Sequence, residues 1–165
     1  MSAEKLEELR FNVARSLRYH DKRRAFFELL GKTLQFSALV GSSAAVLALV
    51  RESGSDWLAV VFAAIAAVAS LLNLVIGTST KYETYTKLKN RFIDLQARID
   101  EIQEPTEEEV AKVMKERHVI EKEEPSISIW LNKVCYNETV DALGYDVSAK
   151  RPIHWWYHLG NLKLA

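Results

Sequence analysis

Two long apolar runs interrupt an otherwise amphipathic chain. Positions 33–50 are 18 consecutive residues without a charged side chain, and positions 57–80 are another 24. At about 1.5 Å per helical residue the runs reach roughly 27 and 36 Å, against a hydrocarbon core of about 30 Å. With flanking residues completing the first, each predicts a transmembrane helix. Outside the runs the pattern has a helical period. Leu6, Leu9, Val13, Leu17, His20 and Phe27 form an apolar stripe leading into the first run. After the second, Tyr85, Leu88, Phe92, Leu95, Ile99 and Ile102 recur at alternating steps of three and four residues, the seam of a coiled coil, which ends before Pro105. Both extensions leave the membrane on the same side, so the pattern predicts an antiparallel coiled-coil stalk beneath a two-span hairpin.

The remainder reads as short helices. Thr106 with Glu109 makes a capping box, so a helix is expected over 107 to about 123, with Val110, Val113, Met114, Arg117 and Ile120 facing inward. Pro125 stops it. Ser126 is the expected cap of a helix over about 127–143, with Trp130, Leu131, Val134, Cys135 and Leu143 inward and Gly144 at its end. A last short helix from Pro152 would carry Trp155, Trp156, Tyr157, Leu159 and Leu162. This aromatic tail has three roles open to it: closing the bundle, leaning on the membrane interface, or docking a partner. The expected fold is an all-α membrane protein, divided into an amphipathic helix with a basic cluster (1–32), a first transmembrane helix (33–50) and an outer loop (51–56). A second transmembrane helix (57–80), a coiled-coil helix (81–104) and a small helical bundle with an aromatic C-terminal tail (105–165) complete it.

The residues within the spans are unevenly distributed around each helix. At about 100° per residue, Ser37, Ala38, Gly41, Ala44, Ala45 and Ala48 fall on one side of the first span, with the large aliphatic residues opposite. Ala59, Ala63, Ala66, Ala67, Ser70, Asn73 and Gly77 form the corresponding stripe of the second. In lipid, small residues mark close helix–helix approach, because no hydrophobic force separates the faces. Two arrangements fit: the hairpin satisfies both stripes internally, or some of these residues pack or line a pore between copies. Gln35 and Asn73 add amides that seek partners at membrane depth, and the absence of any ionisable residue in either span disfavours a proton relay or ion-coupled carrier. A polar-lined or hydrophobically gated pore remains compatible.

Charge sets the topology. Lys and Arg number eight in 1–32, one in 51–56 and five in 81–100, which by the positive-inside rule places both termini in the cytoplasm. The overall balance of 22 basic against 22 acidic residues thus conceals basic segments flanking the membrane and an acidic third helix. It also argues against nucleic-acid binding, which counterion release drives through a basic surface. A secretory signal is not expected, since a charged 32-residue segment precedes the first run.

Candidate chemistry is sparse. There is no Gly-rich phosphate loop, GxSxG elbow or HExxH pair, so no enzyme activity and no cofactor are expected. The single Cys135 reads as a buried, inert thiol. His20 lies on the apolar stripe without a ligand partner at metal-binding spacing, and His154 with His158 at i and i+4 is a weak two-ligand signal. Arg15, Arg18, Lys22, Arg23 and Arg24 form a juxtamembrane basic cluster. Its ordinary role is topology and attraction to anionic lipid, about 1 kcal/mol per charge; its sharper alternative is a phosphate site for a nucleotide signal.

The order of these features resembles the SLATT family. The resemblance rests on the basic, aromatic stretch Arg18-Tyr19-His20-Asp21-Lys22-Arg23-Arg24-Ala25-Phe26-Phe27, followed by two closely spaced spans and a helix. A Cys135-Tyr136-Asn137-Glu138-Thr139 stretch, Ala142-Leu143-Gly144 and a Trp-containing tail complete it. The resemblance implies a two-transmembrane effector of bacterial conflict systems that oligomerises in the inner membrane and opens a pore when triggered. It also implies a separate sensor, nucleotidyltransferase or reverse-transcriptase partner, since no sensor domain is fused here. The competing class is a non-conducting anchor or scaffold that recruits a cytoplasmic partner.

Overall fold

The computed structural model describes residues 2–50 and 56–153, with the backbone alone for 48–50 and 56. Every regular element among the described residues is helical: α1 (Ser2–Val50), α2 (Asp56–Ile76), α3 (Thr78–Glu101), α4 (Glu107–Glu121), α5 (Ile129–Ala142) and a 3₁₀ turn (Val147–Ala149). The chain divides into two compact units, one of residues 1–23 with 84–165 and one of residues 24–83.

In the first unit the two apolar stripes meet. Leu6, Leu9, Val13, Ala14, Tyr19 and His20 of α1 are buried, as are Tyr85, Leu88, Phe92, Leu95 and Ile99 of α3. As the α1 partners advance from Arg10 through Asp21 to Arg23, the α3 partners retreat from Ile99 through Lys89 to Tyr85. The segments therefore run antiparallel, as the stripes predict. Ile102, the last expected seam position, lies just past the end of α3 and is half-buried, because its N–H already turns back onto the Ile99 carbonyl at 3.2 Å.

A short connection carries the chain from α3 into α4, and two ion pairs fix the antiparallel return: Arg98 to Glu116 at 2.7 Å and Arg91 to Glu123 at 2.5 Å. The capping box forms as expected, the Glu109 N–H donating to Thr106 Oγ1 and the Thr106 N–H to Glu109 Oε2. The Thr106 hydroxyl, at 2.7 Å, and then the Thr106 N–H donate to the Glu109 carboxylate and hold it below its ordinary range, so this part of the cap's stabilisation is fully present above the ordinary range and is lost as the pH falls through the lowered value. Val110, Val113 and Ile120 are buried, but Met114 is exposed, one position off the inner stripe, and Arg117 is turned to Glu121.

Ser128, two residues later than the expected Ser126, caps α5. Its N–H donates to the Tyr19 hydroxyl at 2.9 Å, and its own hydroxyl accepts from the Leu131 N–H. That tertiary bond holds the segment after Pro125 extended and postpones the helix. Cys135, Thr139 and Val140 form the inner face of α5. Trp130, Leu131 and Val134 are half-buried and Leu143 is exposed, so the helix is rotated toward its Cys-Thr-Val edge. Gly144 terminates it with φ of +71°, a conformation that favours glycine.

The second unit pairs the end of α1 with α2. Gly77, with φ of +64°, separates α2 from α3, so the apolar run expected over 57–80 ends as a helix at Ile76. Hydrogen bonding still passes around the break, from the Gly77 N–H to Asn73 and from the Lys81 N–H to Gly77. Among the described residues, one helical stretch, starting at Trp57, is long and apolar enough to cross a membrane, and only 17% of its most apolar window is buried. A core helix of a water-soluble bundle would be mostly covered.

Candidate functional site

The small residues of the two apolar runs behave differently from one another. On α1, Gly41 and Ala45 are buried and Ser37 is half-buried, while Gln35 is exposed. At Gly41 the backbones approach closely: a Cβ built there would lie 2.9 Å from the Phe62 carbonyl oxygen, 3.1 Å from Ala66 Cβ and 3.2 Å from the Ala66 nitrogen. A hydrogen in place of a methyl group is therefore what lets this pair close.

On α2 the expected stripe splits in two. Ala59 and Ala69 are buried and Phe62, Ala66 and Asn73 half-buried, tracing a face at steps of three and four residues. Ala63, Ala67 and Ser70 lie outside that face and are exposed. The difference arises because Gly41 docks beside the Phe62 carbonyl, which rotates α2 and turns Ala63 outward. Phe62, expected on the lipid side, thus belongs partly to the helix pair. At the other end of the pair, Asn73 Oδ1 accepts a short hydrogen bond from the Thr78 hydroxyl, so the amide that the apolar run carries has its partner within the chain. Gly31 packs against the same threonine, whose Oγ1 would lie 3.0 Å from an added Cβ. Lys81 Nζ sits 5.3 Å from the Phe27 ring centroid and the Arg24 guanidinium 5.9 Å from that of Tyr82.

The basic cluster is dispersed rather than convergent. Arg18 donates to the Ala14 carbonyl and to Thr139 Oγ1, Lys22 pairs with Glu138 at 2.9 Å, and Arg23 donates to the Tyr85 hydroxyl while stacking on its ring. Arg24 pairs with Glu28 one turn on. Arg15 is the exception: its Nε is buried and has no hydrogen-bond partner among the described residues. Burial lowers its pKa most, with Arg117 and Arg151 lowering it further and Glu121 and Glu124 opposing.

His20 sits at the centre of an aromatic cluster. It is 1% exposed, stacks on Phe92 with centroids 5.2 Å apart and an interplanar angle of 15°, and touches Tyr19 and Tyr85 edge-on or tilted. Its Nε2 lies 2.9 Å from Glu124 Oε1. A carboxylate can only accept, so Nε2 is the donor in that bond. The sequence gives no sign of this pair, because 104 residues separate its members. Tyr19, between His20 and Ser128, has its hydroxyl pKa raised by burial, with the Ser128 N–H opposing.

Cys135 is fully buried, and desolvation, helped by Glu138, pushes its thiol up to about 11. In the native protein at pH 7.5 it is expected to resist maleimide labelling and to react within minutes once the chain is unfolded in denaturant. Rapid labelling of the native chain would contradict the burial. The tail residues Trp155, Trp156 and Tyr157, the His154–His158 pair and the loop 51–55 lie outside the described residues. No family model, curated protein or solved structure matches the chain.

Proposed function

We propose that the chain is an oligomeric pore-forming effector of the SLATT kind in the bacterial inner membrane, acting in anti-phage abortive infection. Both termini face the cytoplasm, 33–50 and 57–80 form the membrane hairpin, and the antiparallel α1–α3 segment is its coiled-coil stalk. A separate partner protein or a nucleotide signal supplies the trigger, after which assembled copies depolarise or permeabilise the membrane.

The observation that carries this reading is the division of the small residues. Gly41, Ala45, Ala59 and Ala66 are used in closing the hairpin, whereas Ala63, Ala67 and Ser70 stay on an exposed face at helix-packing spacing. A hairpin that served only as an anchor has no need of a second small-residue face, and large aliphatic side chains cover lipid-facing positions better. The absence of ionisable side chains from both runs supports a passive pore over a coupled carrier.

Induced expression in a bacterial host, read with a membrane-potential dye, tests the proposal. Depolarisation is expected to precede loss of viability. A host that stops growing with its potential intact would replace the pore by the scaffold reading, in which the protein recruits a cytoplasmic partner without conducting.

A further inference from the structure

Between the first half of α1 and the segment formed by α5 and its C-terminal extension lies a cleft of about 370 Å³, the size range of small-molecule sites. Its walls combine two kinds of chemistry. Phe11, Tyr136 and Tyr145 supply three rings, with Phe11 held edge-on to the other two at 5.0 and 5.7 Å. Arg15 and Arg151 supply two guanidiniums, and Glu8 stands at the same cleft.

The arginines are placed at a cost. Half-burying the Arg15 side chain while leaving its buried Nε without a partner among the described residues is unfavourable, and Arg117 and Arg151 raise that cost by like-charge repulsion. The nearby carboxylates do not settle it: Glu121 is engaged by Arg117 at 2.6 Å and Glu124 by His20. Arg151 is nonetheless fixed in place. Its N–H donates to Asn137 Oδ1 and its carbonyl accepts from Asn137 Nδ2, at 2.8 and 2.9 Å, and its guanidinium lies 4.1 Å from the Tyr136 ring centroid. A fork-shaped cation preset against an aromatic face, beside a second cation with an unmet donor, matches an anionic group next to a planar ring.

We propose that this cleft binds a small anion bearing a planar ring, of the size and chemistry of a nucleoside monophosphate. Arg15 and Arg151 hold the phosphate, and Tyr136 and Tyr145 contact the base. The site is distinct from the basic cluster as a whole, since Arg18, Lys22, Arg23 and Arg24 are directed to partners within the protein. It stands independently of whether the membrane hairpin conducts.

Calorimetric titration of the full chain in detergent with adenosine 5′-monophosphate, adenosine and inorganic phosphate tests it. The monophosphate is expected to bind saturably at one per chain, at least tenfold tighter than either fragment. Each lost charge-assisted contact is worth about a tenfold change or more, so Arg151→Gln should weaken binding at least tenfold, and Tyr145→Ala should weaken the monophosphate but not phosphate. Arg98→Gln, which removes an exposed arginine elsewhere on the same unit, should change nothing. Because Arg151 and Tyr145 are exposed and Arg15 is half-buried, the Arg151 and Tyr145 variants are the ones expected to keep the fold, and circular dichroism checks this. No saturable binding, equal binding of monophosphate and inorganic phosphate, or an equal loss in Arg98→Gln would overturn the assignment.

Discussion

Phe92→Ala is expected to destabilise the first unit by about 3–5 kcal/mol, the usual cost of emptying a large aromatic site in a closed core. Phe92 has no exposed surface and its ring lies flat against His20, so the truncation does two things at once. It leaves a cavity in the α1–α3 core, and it removes the ring stacked on His20 of the His20–Glu124 pair. Ile93, the next residue, is 43% exposed, and Ile93→Ala should cost less than about 1 kcal/mol. Denaturant unfolding of both variants in the same detergent, followed by circular dichroism, separates the two. Similar midpoints would mean that Phe92 does not anchor the core and that the α1–α3 pairing is held elsewhere.

That pairing was the most legible part of the chain. A period of three and four residues needs no long-range information, and Tyr85, Leu88, Phe92, Leu95 and Ile99 are all buried as it requires. The capping box at Thr106 was equally local. Where the sequence misled, a tertiary contact had overridden a local signal: the Tyr19 hydroxyl, 109 residues from Ser128, decides where α5 starts. Helix rotation was out of reach for a similar reason. The residues Ala59, Ala63, Ala66 and Ala67 are chemically alike, and the pattern alone does not say which edge of so wide a stripe a partner takes. One close contact, between Gly41 and the backbone at Phe62 and Ala66, makes that choice. The cleft was the least legible feature. Arg15 was visible within a basic cluster, but nothing in the spacing of Arg15, Tyr136, Tyr145 and Arg151 announced that folding would bring them together.

The choice made at Gly41 leads to the second large effect, in which two substitutions of the same kind have different consequences. Gly41→Leu places a branched side chain where even a methyl group would stand 2.9 Å from a carbonyl oxygen and 3.2 Å from a backbone nitrogen. Backbone atoms of a helix cannot step aside, so the pair must separate. Overpacking of this kind costs about 1–3 kcal/mol in cores that can adjust, and more where backbone opposes it. Gly41→Leu is therefore expected to lose the folded hairpin and, with it, at least tenfold of any depolarising activity. Ala63→Leu adds the same bulk to an exposed position of α2, open among the described residues. Its circular dichroism and thermal midpoint should match the parent, while on the proposed reading its complex in detergent becomes smaller and depolarisation falls, because there a neighbouring copy meets the new side chain. An Ala63→Leu variant that assembles and depolarises like the parent would assign Ala63, Ala67 and Ser70 to lipid, and self-assembly would then have to use another face of the hairpin.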